Sequence, residues 1–351
     1  MDAQVLAHLE RIDQLVAALA TLPWLEADEA DRIRADLLDF DARHWALVRV
    51  LSLPLYRELN GLLAAGEAAA LLPQRPRLAV VMPLHRARPE LLLQALGSLR
   101  RQVGVAVDCW ISVDGEAQDL QLAESLLAEL GADQQSEHWR PTLLFSSQNR
   151  GVGMCRNLAL GQLSAPFFSC LDADDIFHPL RCLHALLVLV RQGLMRLNTG
   201  WCRASLLEQK IVLINDRLSH LGHNSFVARS ELLLQCGYQA DLRFFEDTEF
   251  MLRHRFYGVA MADSPVVGHY LHTEPRADYQ SLASPCRQEV HAITGHPYLC
   301  GSVISEQPDS WRAIEQRFRE RYLSLPADEL PREFGAPAPD EVPGRSGSAD
   351  A

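Results

Sequence analysis

The chain has 351 residues, of which 48% are hydrophobic and 22% charged, so it can bury the core of one large domain with extensions or of two domains. Its net charge of -12 argues against nucleic acid or an anionic membrane as default partner, because both would repel it. Its 8 cysteines form no Cys-x-x-Cys pair and several sit in apolar runs, which excludes a zinc ribbon and reads as buried thiols.

The first 75 residues read as helical. Val5, Leu9, Ile12, Val16 and Leu19 recur at helical spacing. A second helix is expected over 29–50, on Ile33, Leu37, Leu38 and Trp45. Pro54 opens a third segment, and Pro73-Gln74-Arg75-Pro76 closes the block. No chemistry is legible there, so residues 1–75 are expected to be a helical extension. The opening residues lack a basic stretch followed by an apolar one, and no apolar run is long enough to span a bilayer. The expected location is cytoplasmic, with any membrane association peripheral.

From residue 76 strands and helices alternate. Leu78–Met82 is a continuous apolar run, as in a strand buried on both faces, and ends at Pro83. A helix over 89–101, a strand over 107–113 ending at Asp114-Gly115, and a helix over 120–130 follow. Then come a strand over 142–145, a helix over 152–163, a strand over 167–171 and a helix over 179–191. This alternation predicts an α/β fold: a mainly parallel, Rossmann-like sheet with helices on both faces. Ligands of such sheets bind at the carboxyl ends of the strands, which is where Asp114, Asn149 and Asp172 fall. The second half is harder to read. A strand at 225–227, a helix over 245–257 stopped by Gly258, and a strand over 266–271 are expected. Residues 286–324 read as helical or irregular, and 325–351, rich in Pro, Gly, Ser and acids, as disordered.

Asp172-Ala173-Asp174-Asp175 places three acids within four positions. Such like charges repel unless a cation compensates, and Mg²⁺ takes one or two carboxylates together with substrate phosphates. The bland alternative is a wet turn with Asp175 capping the next helix. In Asn149-Arg150-Gly151-Val152-Gly153-Met154-Cys155-Arg156-Asn157 two glycines flank a helix start, where N–H groups can meet a phosphate. It is neither a P-loop nor a dinucleotide fingerprint. Glu246 and Asp247 open a helix, where acids often only complement the dipole but can also serve as a base. His272 is one of 13 histidines and gains interest only from the acidic cluster before it.

The ordered set from Pro83 through Asp114, Asn149, Arg156, Asp172–Asp175 and Glu246-Asp247 to His272 resembles the family 2 glycosyltransferases of the GT-A fold, over roughly residues 76–285. The resemblance implies a nucleotide-diphosphate sugar as donor, a saccharide or other hydroxyl as acceptor, and a divalent metal, Mg²⁺ or Mn²⁺. It implies that Asp114 contacts the base and that Asn149 and Arg156 hold base or phosphates. Asp172 and Asp174 match the family's Asp-x-Asp at ribose and metal, with Glu246 as part of the Glu-Asp pair at the substrate. Asp247 matches the general base, and His272 a residue at the metal or diphosphate. The chain departs from the family after the first strand, where Pro83-Leu84-His85-Arg86 stands for Pro-Thr-Tyr-Asn, so that His85 takes the place of a stacking tyrosine. It also has Asp114-Gly115-Glu116 for Asp-Asp-Gly-Ser. Two other readings are a nucleotidyltransferase on a similar sheet and a non-catalytic scaffold. The first is disfavoured by the glycine-free loop after the first strand, the second by intact acids at all three stations.

Overall fold

The computed structural model describes residues 3–26, 28–131, 137–207, 210–214, 218–221, 224–237, 246–272, 287–290 and 297–301. The expected disordered tail, 325–351, lies outside them. Four helices come first: α1 (Ala3–Leu19), α2 (Glu29–Arg43), α3 (Trp45–Ala64) and α4 (Ala68–Leu71). The helix expected over 29–50 breaks at His44, whose backbone leaves the helical region while its N–H still closes the turn on Phe40. Pro54, expected at a segment start, lies inside α3.

The alternating part follows as β1 (Arg77–Leu84), α5 (Pro89–Arg100), β2 (Ala106–Asp114), α6 (Ala117–Glu129), β3 (Trp139–Ser146), α7 (Val152–Leu160), β4 (Phe167–Cys170), β5 (Ile176–Phe177) and α8 (Arg181–Arg191). The second half comprises β6 (Arg196–Ser205), β7 (Lys210–Ile214), β8 (Phe226–Arg229), α9 (Glu231–Cys236), α10 (Glu246–Phe256), β9 (Met261–His272), β10 (Arg287–Val290) and β11 (Pro297–Gly301).

The sheet order is β10-β11-β7-β6-β8-β4-β1-β2-β3, with β9 pairing β5 and β6. The expected parallel sheet is its half β4-β1-β2-β3, where every pairing is parallel. Beyond β4 the sheet is mixed, because β8 joins β4 antiparallel and β6 joins β7 and β8 antiparallel. The segment 286–324, expected to be helical or irregular, contributes β10 and β11. β11 runs alongside β7, where it satisfies backbone groups that an edge strand otherwise leaves open.

The apolar faces explain the assembly. Val80 and Met82 on one face of β1 and Ala79 and Val81 on the other are all fully buried, as a strand covered on both sides requires. Leu15, Leu37 and Leu59 of the first three helices belong to the same core cluster as Leu96 and Leu186. Each such leucine contributes roughly 1.5–3 kcal/mol of burial. The helices therefore share the core of the sheet domain, and α3 packs on β9 and α8. The six cysteines whose side chains are described are buried free thiols, as expected.

Candidate active site

The parallel topology brings the ends of β1, β2 and β4 and the loop after β3 to one edge. A pocket of about 330 Å³ opens there. It is lined by Pro83, His85, Asp114, Asn149, Asp172 and Asp174, together with Arg86, Arg88 and Gly151. Six of the residues singled out from the sequence thus meet in one cavity, from positions 91 apart along the chain.

Backbone geometry builds its wall. Asp114 is buried, and its two oxygens accept the N–H groups of Arg150 (2.8 Å) and Gly151 (2.9 Å). Its expected contact with a base must use the lone pairs these bonds leave. Gly115 has a φ of +90°, and a Cβ there would stand 2.9 Å from the Asn149 nitrogen. Gly151 caps α7 with φ 86° and ψ 161°, a conformation essentially reserved for glycine. The loop after β1 is held by Asp119, whose carboxylate accepts the N–H groups of Arg86 and Ala87. Asp119 was not anticipated; an acid in the first turn of a helix carries no signal of a long-range bond.

His85 Nδ1 lies 2.9 Å from the Asp114 carbonyl, and Asn149 Nδ2 lies 3.1 Å from His85 Nε2. A carbonyl only accepts and an amide nitrogen only donates, so the ring carries its proton on Nδ1. His85 is exposed, and these two bonds fix the plane of its ring at the pocket mouth.

Behind the pocket lies a charged relay. Arg156 is 1% exposed and donates to Asp172 Oδ1 (2.6 Å) and to Glu246 Oε1 (2.7 Å). Burial works against its charge, but the carboxylates of Asp172 and Glu246 outweigh it, so the guanidinium holds its proton more firmly than usual. Burial raises the Glu246 carboxyl above its ordinary range, with Arg156 pulling the other way. Arg156, expected at base or phosphates, is thus sealed between two carboxylates and acts on the pocket through Asp172. Asp247 follows Glu246 in the first turn of α10 and is half-buried. It does not line the pocket.

The four positions of the acidic cluster differ in role. Asp174 is exposed, Asp172 half-buried and Asp175 buried. Asp175 accepts the His272 N–H (2.8 Å) and pairs with His269 Nε2 (3.2 Å), which ties the loop to β9. Burial, and then Asp174 and Asp172, push its carboxyl well above the usual range, while burial holds His269 well below its own. His272 therefore sits beside the acidic loop through its backbone. Its side chain accepts the Leu206 N–H at Nδ1 (3.1 Å). The imidazole proton then resides on Nε2, and metal-bound histidines show the opposite arrangement, with the free nitrogen donating. Asn224, from a stretch in which little could be read, lies 3.5 Å from Asp172 Oδ2.

Two carboxylates at the pocket, Asp172 and Asp174, suit a Mg²⁺-type ion, which needs one or two together with substrate phosphates. Among the described residues, no three His, Cys, Asp or Glu side chains form a group that holds a metal ion on its own. The donor set fits a cation shared with a substrate and does not fit His272 as its third ligand.

Residues 79–211 match the model of glycosyl transferase family 2. That stretch, about a third of the chain's length, is what is similar to the family 2 glycosyltransferases. The match spans β1 to the start of β7 and includes the pocket residues from Pro83 to Asp174. Among solved structures, residues 1–349 of S. aureus TarS superpose with a TM-score of 0.43 at 19% identity, covering 56% of this chain and 60% of that one. The same protein in complex with UDP-GlcNAc gives a TM-score of 0.45 at 18% identity, covering 60% and 62%. The mannosyltransferase PcManGT from Pyrobaculum calidifontis, in complex with GDP-Man and Mn²⁺, gives 0.45 at 16% identity, covering 71% and 70%. No curated protein matches the chain. Among the described residues, no helix is long and apolar enough to cross a membrane.

Proposed function

We propose that the protein is a metal-dependent, inverting glycosyltransferase that moves a sugar from a nucleotide-diphosphate donor to an acceptor hydroxyl. The observation that carries this reading is the convergence of Pro83, His85, Asp114, Asn149, Asp172 and Asp174 on one pocket inside the stretch similar to family 2. The exposed, oriented ring of His85 supplies a face on which a base stacks. Asn149, the loop N–H groups and Asp114 shape the wall around it.

Asp172 and Asp174 would hold Mg²⁺ or Mn²⁺. Bound there, the ion supplies positive charge against the diphosphate. Arg156 fixes the orientation of Asp172 and offsets part of the negative charge of the cluster. His272 reads better as a hydrogen-bond donor from Nε2 to a diphosphate oxygen than as a metal ligand, given its bond from Leu206. Asp247 is the proposed base: from the first turn of α10 it takes the proton of the acceptor hydroxyl as that oxygen attacks the anomeric carbon, opposite the departing diphosphate. The acceptor site belongs to the second half of the chain, beside α10.

Incubation with a panel of nucleotide sugars and Mn²⁺, reading free nucleoside diphosphate, tests the reading. Release from one donor, abolished by chelation and accompanied by a glycosylated product of inverted anomeric configuration, is expected. Release of pyrophosphate from a nucleoside triphosphate would replace it with nucleotidyl transfer. Silence with every donor, with no donor binding by calorimetry, would leave a scaffold.

A further inference from the structure

The parallel strands have a second cavity at their other end. It encloses about 350 Å³ between α2, the chain before β1, the end of α5 and the starts of β2 and β3. Strands β1 and β2 separate it from the donor pocket by about 25 Å, the length of 8 residues of strand. Its charge contrasts with the rest of this acidic chain. Arg32, Arg75, Arg100 and Arg101 line it against the carboxylates of Glu29 and Asp36.

Glu29 is committed. It accepts from Arg75 Nη2 at 2.5 Å and from Arg32 Nη2 at 2.5 Å. Arg101 is different: its Nε is buried and meets no hydrogen-bond acceptor. Burial lowers its pKa, and the nearby Arg43 adds to that, with Asp39 and Asp36 opposing. A buried guanidinium N–H without an acceptor is costly, and a bound anion removes that cost. Arg100 is exposed at the rim and forms no ion pair among the described residues.

A second orphan lines the same cavity. His138 Nδ1 is buried without a partner. Its Nε2 lies 3.9 Å from a Glu29 carboxylate oxygen, whose negative charge favours the ring proton on that side and so Nδ1 as the acceptor. Burial, then Arg75, lowers the pKa of this ring and keeps it neutral. Trp139, Ile33, Val103 and Leu130 supply apolar wall. The cavity thus offers unmatched cationic donors, an unmatched acceptor for a hydroxyl, and a surface for a ring.

We propose that this cavity is a binding site for a hydroxyl-bearing phosphate monoester of sugar-phosphate size, separate from the donor pocket. The phosphate meets Arg100 and Arg101, and a hydroxyl donates to His138 Nδ1. The ligand bolts α2 to the sheet domain. The site stands apart from the glycosyl-transfer reading and survives or fails without it.

Calorimetric titration of the full chain in metal-free buffer tests it, with glucose 6-phosphate, glucose, inorganic phosphate and sulfate as probes. Saturable binding of glucose 6-phosphate is expected, at least about tenfold tighter than sulfate, with no binding of glucose. Arg101→Gln should weaken it about tenfold or more and Arg100→Gln by about three- to tenfold, since charge-assisted bonds are lost. Asp174→Asn in the donor pocket should leave it unchanged. Should Arg101→Gln fail to fold, the exposed Arg100 variant decides. Equal binding of sulfate, binding unaltered by Arg100→Gln, loss of binding in Asp174→Asn, or no heat with any probe each overturns the proposal.

Discussion

Two buried charge networks tie distant parts of this chain together, and they differ in one respect. The network of the helical block links His8 Nε2 to Asp41 (2.5 Å), Asp41 to the Tyr56 hydroxyl (3.0 Å) and that hydroxyl to His178 Nε2 (3.2 Å). His178 Nδ1 accepts the Leu180 N–H, so its proton sits on Nε2 and donates to Tyr56, whose own proton goes to Asp41. Asp41 and His178 are at most 2% exposed. The network of the site links Glu246, Arg156 and Asp172, but its last member is half-exposed and lines a cavity. The closed network joins helices to sheet and has every donor directed. The other ends on a carboxylate held in place at its inner oxygen and open toward a ligand. Burial with full pairing makes structure, whereas burial that stops one group short makes a site.

That contrast can be broken by experiment. The largest expected effect is on turnover: Asp247→Asn should lower the transfer rate by about 10²–10⁴-fold, the range of a lost general base, with donor affinity kept. Turnover at the wild-type rate would remove Asp247 from the mechanism. Next, Arg156→Met should destabilise the fold by about 3–5 kcal/mol in urea denaturation, because it leaves two carboxylates facing each other without their cation. It should also weaken donor binding, since Asp172 loses its orientation. A loss of stability under 1 kcal/mol would show that solvent already reaches the relay.

The closed network answers to pH. Burial lowers the His178 pKa from 6.5 to about 3, and burial, then Arg101, lowers that of His44 to about 4. Both rings are neutral in the folded chain and charge only on unfolding. Their contribution is fully present above pH 6.5 and is lost as pH falls through the folded values. Between pH 6.5 and 5 each histidine should account for about 2 kcal/mol of lost stability. His178→Asn should flatten the dependence of the urea midpoint over that interval; an unchanged slope would place the acid sensitivity elsewhere. The smallest effect is that of Gly115→Ala, expected to cost about 1–2 kcal/mol, because the new Cβ meets the Asn149 backbone at a positive φ. Its donor KM should rise as the Asn149–His85 contact shifts, and an unaltered KM would separate that contact from donor binding.

Much of the parallel half was legible because its strands are covered on both faces and so read as apolar runs. Leu78–Met82 and Phe167–Leu171 fall within or against β1 and β4. Asp114, Asn149 and Asp172 follow strands of this half in the sequence and so fall at the carboxyl edge where such sheets bind ligands. β6 was not legible. Arg196 and Asn198 interrupt its pattern, yet Arg196 is fully buried, stacked 4.2 Å above the Phe226 ring and bonded to Asn198 and His254. Burial pushes its pKa down to about 9. Two of these partners, Phe226 and His254, lie far away in sequence, so no local pattern announces the buried cation.

The acids of the cluster divide along the same line. Their number and spacing, and their place after an apolar strand, follow from the sequence, since periodicity and charge are local properties. Their separate roles do not. Asp175 is withdrawn by His269 and the His272 backbone, Asp172 is held by Arg156, and Asp174 is exposed to solvent. Three neighbouring carboxylates are chemically alike until tertiary contacts from β9 and α7 set a different environment around each. Burial and hydrogen bonding across long loops decide which of them a ligand can reach.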